Sequence, residues 1–587
     1  MDYRFGPRIE QNGVTFRLWA PSCQHVQVEV EGHEPVVLAR GDDGFWQGFV
    51  GGLGPGAVYR FRADGKAVPD IASRAQKDDC DGWSIVRGSF GIPPMDGPLS
   101  PWHEAIICEV HVGTATPEGT FSALKDRLEY FRDAGYTTLE IMPIADFPGA
   151  RNWGYDGTLP FAPDTAYGSP DDFRALVDRA HELGVCIVLD VVYNHFGSVH
   201  NFLRDYCPDW FDGSVETPWG PGIDMSKEIV RQFYYENAVW WLTEFDLDGL
   251  RLDAVHEIKS KDSDKFLGDL AAACRAEKPG CKLIIENMQN HAYWLSRDEN
   301  DDPVKYSAQW NDDYHHVINF LVTGEPKSGY DDPSRDAIAD LEKALEDGFI
   351  HDGDSEGESD GRTRGEPGGQ LSMEAFVQFV QNHDWIGNRA DGRRLADRID
   401  RDRGRFARFV TMLQPQIPTA FMGDEAWLTS KFPFFYDLPE PAASQKRQDR
   451  YTQMKSIFNE DVEEGGLPDP QDPATFQMAK VDWSQLEQPA HREALDDFRA
   501  IAALRREQIW PLAATRCLDA RSARQGSSGI ICSWQYEAGC HNMALNPSDD
   551  EIEMSFQCGD AAATVGDVGV DGEQVRLGPW SAVIWRS

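Results

Sequence analysis

The chain is poor in lysine and rich in acidic residues. Lysine supplies 16 of its 56 basic residues, and 98 aspartates and glutamates bring the formal net charge to −42. A surface this acidic repels nucleic acid and anionic membranes, because both are bound through basic patches. It does not exclude a neutral substrate such as a sugar. We therefore expect partners that are neither nucleic acid nor membrane.

Cysteine pairs and long apolar runs are also lacking. The 11 cysteines are an odd number with no CxxC spacing, and Cys108, Cys186 and Cys532 lie in apolar runs, where a thiol acts as a small hydrophobe. This favours a reducing compartment over a disulfide framework. Residues 1–5 show no apolar signal region, and no run reaches the length of a membrane span. The expected location is the cytoplasm.

The chain is long enough for several domains, with 587 residues of which 41% are hydrophobic. Short alternating runs separated by glycine-rich turns predict a β-sandwich in residues 1–95, and similar runs predict a second one in 506–587. Between them, in 100–505, eight alternations of strand and helix predict an α/β fold with a parallel (β/α)8 TIM barrel. Its strands are expected at 106–112, 137–142, 185–190, 248–255, 283–286, 308–312, 375–380 and 418–422.

Acidic residues stand beside four of the apolar, strand-like runs. These segments are 190–195, 249–256, 284–287 and 381–384. A buried strand does not carry an unpaired charge unless something uses it. Active-site residues of a barrel come from the C-terminal ends of several strands. The segments therefore predict one site with the paired carboxylates of glycoside chemistry.

Two of these carboxylates are predicted to lie side by side. Asp253 comes two residues after Arg251, so both face the same side of the fourth strand. The guanidinium is expected to keep Asp253 ionised as a nucleophile, with a structural ion pair as the alternative. Glu286 ends the neighbouring strand about 5 Å away, the carboxyl separation of a retaining glycosidase. Its apolar lead-in is expected to raise its pKa for acid–base catalysis.

Asp384 and His383 are expected across the mouth of the barrel. Asp384 is a candidate for stabilising an oxocarbenium-like state, and His383 and His195 are candidate donors to sugar hydroxyls. A metal site is the competing interpretation of such a cluster, but no HxxxH or CxxC spacing supports zinc, so no catalytic metal is expected. Aromatic residues near these strand ends suit sugar faces, although most aromatics are core. Tyr155 is the best candidate for a stacking platform.

Together, the four segments resemble the alpha-amylase family of glycoside hydrolases. The resemblance implies that Asp253 is the nucleophile, Glu286 the acid/base and Asp384 the transition-state stabiliser. The candidate sugar-binding residues are Arg251, His195, His383, Tyr155, His256, Trp153, Phe434 and Tyr436.

A closer resemblance, over nearly the whole chain, is to the maltooligosyltrehalose trehalohydrolase subgroup of that family. It rests on segments 109–121, 147–157, 191–197 and 432–436, and most specifically on 468–483. It implies hydrolysis of the α-1,4 bond next to a terminal trehalose, a carbohydrate-module-like N-terminal sandwich and no cofactor. The expected substrate is maltooligosyltrehalose or an α-1,4-glucan. A glucan branching or debranching enzyme is the alternative, and a catalytically silent glycan-binding protein is disfavoured by the intact set of three carboxylates.

Three residues near the substrate positions depart from the family pattern. Trp385 stands where glutamine is expected, Met288 where aspartate is more usual, and Asp437 opens an unusual loop sequence. They bear on specificity rather than on the class of reaction.

Scarce lysine with excess acid favours a surface adapted to high salt, with an acidic protein from an arginine-favouring genome as the alternative. On the first hypothesis the melting temperature should rise between about 0.1 M and about 2 M chloride, because the screening length falls from about 10 Å to a few ångströms. Thermal unfolding followed by circular dichroism tests this. A flat or falling melting temperature would leave only the alternative.

Overall fold

A closed barrel of eight parallel strands forms the centre of the protein. The computed structural model describes residues 3–91, 95, 97–325, 335–353, 355–356, 363–457 and 467–587. All eight strands predicted from the sequence are confirmed. In chain order they are β1 (Ile107–Val110), β2 (Thr138–Ile141), β3 (Cys186–Val191), β4 (Gly249–Leu252), β5 (Lys282–Glu286), β6 (Ala308–Trp310), β7 (Phe376–Phe379) and β8 (Ile417–Phe421).

Apolar side chains fill the interior of the barrel in a layer. Ile107, Val188, Ile284 and Val377 belong to one buried cluster and come from the alternate strands β1, β3, β5 and β7. Layers of four residues from alternate strands are the packing that a closed parallel barrel requires. The strands are short continuous apolar runs because helices cover their outer side.

The helices around the barrel have recognisable start and stop signals. Phe121–Ala134 begins after Thr120, whose side chain accepts the Ala123 N–H, and ends at Gly135, which has a φ of 118°. Pro170–Glu182 begins with a capping box. The other long helices are Glu228–Glu244, Ser263–Glu277, Asp312–Thr323, Ala337–Glu346, Arg401–Leu413, Ala442–Ile457 and Pro489–Gln508.

Antiparallel sheets lie at both ends of the chain, as the sequence predicts. The N-terminal strands are Arg8–Glu10, Gly13–Trp19, Ala39–Arg40 and Phe45–Gly51 in one sheet, and Val26–Val30, Val36–Val37, Val58–Ala63, Lys66–Val68 and Ser84–Ile85 in the other. The C-terminal strands are Cys517–Gln525, Gly529–Tyr536, Gly539–Asn546, Ala561–Val565 and Ser581–Arg586 in one sheet, and Ile552–Ser555, Val568–Asp571 and Gln574–Leu577 in the other. The exact domain boundaries stay predictions.

Smaller elements extend from the barrel near its mouth. A ribbon of Ala145–Asp146 and Leu159–Pro163 follows β2, and a hairpin of Phe211–Thr217 and Gly220–Ile223 follows β3. None of the helices in the described ranges has the length and apolarity that crossing a bilayer requires. The remaining short elements are Val112–Ala115, Leu203–Tyr206, His383–Gly387, Pro473–Ala479, Trp510–Ala513, Ser355–Glu356 and Thr363–Arg364.

Candidate active site

Arg251 lies at the centre of the site and its side chain is fully buried. Its Nη1 donates to Asp190 Oδ2 at 2.7 Å and to Asp253 Oδ1 at 3.1 Å, and its Nη2 donates to Glu286 Oε2 at 2.8 Å. The guanidinium lies 4.0 Å from the centroid of the Trp310 ring. One buried cation thus gathers carboxylates from β3, from the end of β4 and from β5.

Further donors fix the two candidate catalytic carboxylates. Asn194 Nδ2 donates to Asp253 Oδ2 at 2.8 Å. Ala254 has a left-handed backbone with a φ of 36°, and its N–H donates to Glu286 Oε2 at 2.9 Å. Backbone strain of this kind persists where the surrounding structure enforces it. Both carboxylates are therefore held by charged or amide donors at the mouth of the barrel.

The protonation of this pair differs from the sequence-based expectation. Burial, and next the charge of Glu286, raise the pKa of Asp253 to about 8. Burial also raises the pKa of Glu286, but Arg251, His256 and the Ala254 N–H outweigh it and bring that pKa below its usual value. The expectation of an ionised Asp253 and a raised Glu286 was wrong for the free protein. Arg251 contacts both carboxylates, so Asp253 and Glu286 titrate as a coupled pair.

His383 is held between two carboxylates in a short helix, His383–Gly387. Its backbone N–H donates to Glu109 Oε2 at 2.9 Å, its Nδ1 also hydrogen-bonds Glu109, and its Nε2 lies 3.4 Å from Asp384 Oδ1. Burial lowers the pKa of His383, but Asp384 and Glu109 outweigh it and raise that pKa to about 9. Burial and the charge of Glu286 raise the pKa of Asp384, although His383 opposes them. At neutral pH His383 is an imidazolium.

Tyr155 lies on this imidazole, as expected for a residue near the sugar site. Its ring stacks on His383 with centroids 5.1 Å apart, and its hydroxyl donates to Asp190 Oδ2 at 2.7 Å. The preceding Gly154 has a φ of 107°, and a Cβ there would lie 2.0 Å from the Pro143 carbonyl oxygen. Only glycine permits this close approach of the Tyr155 loop to the end of β2.

His195 lies beside the Tyr155 loop. Its Nε2 is 2.9 Å from the Tyr155 carbonyl oxygen, and its imidazole stacks on Trp219 with centroids 3.9 Å apart. The pKa of His195 is lowered to about 4 because burial outweighs the charge of Asp156, so it is neutral. His195 therefore differs from His383 in its charge. His256 lies next to the Met288 backbone, with its Nδ1 3.4 Å from the Met288 nitrogen.

Three aromatic candidates have little exposed surface. Trp153 is 3% exposed and Tyr436 is fully buried, with its hydroxyl donating to the Ala443 carbonyl at 2.9 Å. Phe434, partly buried, packs edge-on against Trp153 with centroids 4.8 Å apart. Trp153 also packs edge-on against His383. Trp153 and Tyr436 therefore offer no face to a sugar in this conformation, whereas Phe434 is only partly buried.

Sequence reasoning marked the carboxylate of Asp190 but did not select three further residues of the site. Glu109 is a charged residue inside an apolar strand, which is the signal that could have identified it. Asn194 was not selected, because the adjacent His195 is the candidate functional residue of that segment. Asp312 follows β6, and its Oδ1 accepts a hydrogen bond from Trp385 Nε1 at 3.2 Å. Burial, and next the charge of Glu286, raise the pKa of Asp312 to about 7.

The three departures from the family pattern lie around the same mouth. Trp385 stacks on His315 with centroids 4.6 Å apart and follows Asp384 directly. The Met288 N–H lies 3.4 Å from His256 Nδ1, and the Met288 side chain is exposed. Asp437 Oδ1 pairs with Arg151 Nη2 at 3.0 Å, close to the Tyr155 loop. Each departure therefore lies beside a candidate sugar-binding residue.

The closed barrel and its carboxylates around Arg251 define a glycoside hydrolase of the alpha-amylase family. A model of the alpha amylase catalytic domain matches residues 76–212, and a model of carbohydrate-binding module 48, the isoamylase N-terminal domain, matches 4–84. The chain is 34% identical to malto-oligosyltrehalose trehalohydrolase of Saccharolobus solfataricus, over 86% of this chain and 87% of the relative. It belongs to the malto-oligosyltrehalose trehalohydrolase family.

Two further relatives differ in how much of the chain they match. A crystal structure from Salmonella typhimurium, described as a candidate alpha amylase, is 34% identical, has a TM-score of 0.94 and covers 100% of both chains. The 1,4-alpha-glucan branching enzyme of Mycobacterium bovis is 28% identical over 54% of this chain and 49% of its own. The similarity to the branching enzyme is therefore weaker and partial.

Replacing Glu109 by Gln should destabilise the protein most at acidic to neutral pH. The pKa of His383 is raised from 6.5 to about 9 in the folded protein. The resulting stabilisation is complete below the lower value and is lost as pH rises through the upper one, up to about 3 kcal/mol. The difference in free energy of unfolding between variant and wild type should therefore shrink over this range.

Urea unfolding at about pH 6 and about pH 9.5 measures this difference. The exposed Glu118→Gln variant is the control and should show a small difference that does not change with pH. An equal cost of Glu109→Gln at both pH values would contradict the charged state of His383.

Proposed function

We propose that the protein hydrolyses the α-1,4-glucosidic bond next to the terminal trehalose of maltooligosyltrehalose, with retention, and releases trehalose and a maltooligosaccharide. The observation that carries this proposal is the pairing of Asp253 and Glu286 on one guanidinium. Carboxylates on neighbouring strands suit the short separation that retention requires. Membership of the trehalohydrolase family supports the choice of substrate.

In this proposal Asp253 attacks the anomeric carbon, and Glu286 first protonates the leaving oxygen and then activates water. The pair already holds one proton, on Asp253 in the free protein. A glycosidic oxygen beside Glu286 favours its protonated form, and developing positive charge at the anomeric carbon favours ionised Asp253. Substrate binding therefore needs only to move this proton from Asp253 to Glu286, and the pair takes up no further proton from solvent.

The surrounding residues orient the reacting sugar in the same proposal. Asp384 faces the developing oxocarbenium charge, and the imidazolium of His383 donates to sugar hydroxyls more strongly than a neutral imidazole would. Tyr155 offers the ring on which the sugar stacks. Arg251 acts through Asp253 and Glu286, whose charges it balances.

The segment 468–483 supports the specificity for trehalose. Its Pro470 carbonyl accepts the Tyr436 N–H at 3.0 Å, and its Trp483 Nε1 donates to the Ala115 carbonyl at 2.7 Å. Lys480 Nζ donates to the Pro117 carbonyl at 2.6 Å. The segment thus joins the loop after β8 to the loop after β1, at the end of the barrel where substrate loops lie. At that place the segment can form a wall of the substrate site that fits a bent, non-reducing disaccharide.

We place this activity in a reducing compartment, in particular the cytoplasm. The support is the state of the cysteines: all 11 are free thiols, and nine of them are buried. In secreted proteins, cysteines are typically paired in disulfides.

Matched amide variants test the two catalytic roles. Asp253→Asn and Glu286→Gln should each lower turnover of maltooligosyltrehalose by several orders of magnitude without unfolding the protein. With a substrate that has a very good leaving group, Glu286→Gln should still form the glycosyl intermediate, because no proton donor is needed, whereas Asp253→Asn should not.

Burst kinetics with an activated glycoside measures this difference. Equal losses of Glu286→Gln on both substrates would remove Glu286 from the role of proton donor. A product whose new anomeric centre is β by proton magnetic resonance would contradict retention.

Trehalose-capped maltooligosaccharide should be a better substrate than plain maltooligosaccharide of equal length. A straight continuation would leave two or three buried hydrogen bonds unmade, at about 1–3 kcal/mol each, so kcat/KM should differ by roughly a hundredfold or more. Chromatography of products from both substrates measures the ratio. Near-equal rates would favour a general amylase, and new α-1,6 linkages would favour a branching enzyme.

A further inference from the structure

A second cluster of ligand-type side chains lies where the N-terminal region meets the ribbon after β2. Residues 78–81 run along the ribbon, where the Gly149 N–H donates to Asp79 Oδ2 at 2.9 Å and the Thr165 hydroxyl donates to the Asp78 carbonyl. The ribbon leads into the loop that carries Tyr155. The cluster shares no residue with the carboxylates around Arg251.

Three ligand atoms converge in this cluster. One ligand atom each from Asp79, Cys80 and Asp146 lies within 4.8 Å of the others. Cys80 is fully buried and Asp146 is 1% exposed. Neither carboxylate oxygen of Asp146 receives a hydrogen bond from a described residue, and the same holds for the buried Thr158 hydroxyl beside it. A buried carboxylate without a donor is costly unless its charge is neutralised.

The surroundings of Asp146 add negative charge. The carboxyl of Asp164 lies next to it and is itself satisfied by the N–H groups of Phe147 and Ala166, at 3.0 and 2.8 Å. No ion pair joins Asp146 to a lysine or arginine of the described ranges. Either a proton or a cation can neutralise such a group.

The donor set favours a cation of borderline softness. Cys80 supplies a sulfur atom, and Asp79 and Asp146 supply carboxylate oxygens. His200 Nδ1 lies 3.7 Å from Cys80 Sγ but outside this group of mutually close ligand atoms. One thiolate and two carboxylates leave one position of a tetrahedral zinc ion for water. Calcium or magnesium would prefer oxygen donors throughout.

We propose that Asp79, Cys80 and Asp146 bind one zinc-type divalent cation, with water as its fourth ligand. The Cys80 thiol loses its proton to solvent as the cation binds, because the thiolate is the ligand. The cation then joins the N-terminal region to the ribbon and neutralises Asp146. Because the ribbon carries the Tyr155 loop, the bound cation also steadies that side of the sugar site.

Metal titration of the full-length protein tests the proposal. After treatment with a chelator, wild type should bind one Zn²⁺ per chain in competition with a chromogenic chelator, and its melting temperature should rise with added Zn²⁺. Cys80→Ser and Asp146→Asn should each weaken binding at least tenfold. Cys558→Ser, which changes a partly buried thiol of the C-terminal region, is the matched control and should bind like wild type.

Cobalt substitution reports the thiolate directly. Wild type and Cys558→Ser should show the near-ultraviolet thiolate-to-cobalt charge-transfer band, and Cys80→Ser should lack it. Should either variant fail to fold, Asp79→Asn, at the partly buried ligand, replaces it and should bind at least tenfold more weakly.

Three outcomes would overturn the proposal. The first is Zn²⁺ binding by wild type no tighter than by Cys80→Ser. The second is stabilisation by Ca²⁺ instead of Zn²⁺, which would exclude the thiolate as a ligand. The third is an Asp146→Asn protein that melts higher than wild type with no metal dependence, which would identify a proton as the occupant.

Discussion

The buried guanidinium of Arg251 is the interaction on which the site depends. It bridges Asp190, Asp253 and Glu286, which come from three neighbouring strands. Removing one partner of a buried ion pair costs about 3–5 kcal/mol, because the remaining charge stays buried and unpaired. Glu140 is also buried, and it avoids this cost because burial raises its pKa well above the usual value and favours its neutral form. The two cations Arg251 and His383 thus limit how many carboxylates of the site can be ionised at once.

Loops outside the barrel strands position the other groups of the candidate sugar site around this charged centre. Gly154 lets the Tyr155 loop lie against the end of β2, and the left-handed Ala254 aims its N–H at Glu286. His383 begins a short helix whose first N–H is bound by Glu109 from β1. Each orienting group is therefore tied to a barrel strand, which keeps loop residues in place without a substrate.

Much of this arrangement could be predicted from the sequence, because buried parallel strands are continuous apolar runs and a charge at their ends is conspicuous. The barrel and the grouping of Asp253, Glu286 and Asp384 followed from that. The order of the pKa values of Asp253 and Glu286 could not be predicted, because it depends on the contact of Arg251 with both carboxylates. Sequence spacing does not reveal that contact. The burial of Tyr436 could not be predicted either, because the sequence of a loop does not show whether an aromatic side chain faces solvent or the core. The approach of Asp79 to Asp146 joins distant segments and has no local signal.

The charge of Glu286 links the two sides of the mouth. It helps to raise the pKa of both Asp384 and Asp312. In the mechanism that we propose, Glu286 is protonated when substrate binds, so that this charge disappears and both pKa values fall. In that mechanism Asp384 becomes more fully ionised as positive charge develops on the sugar. The protonation of one carboxylate therefore alters the charge of the others across the mouth, because burial and the small number of cations couple their titrations.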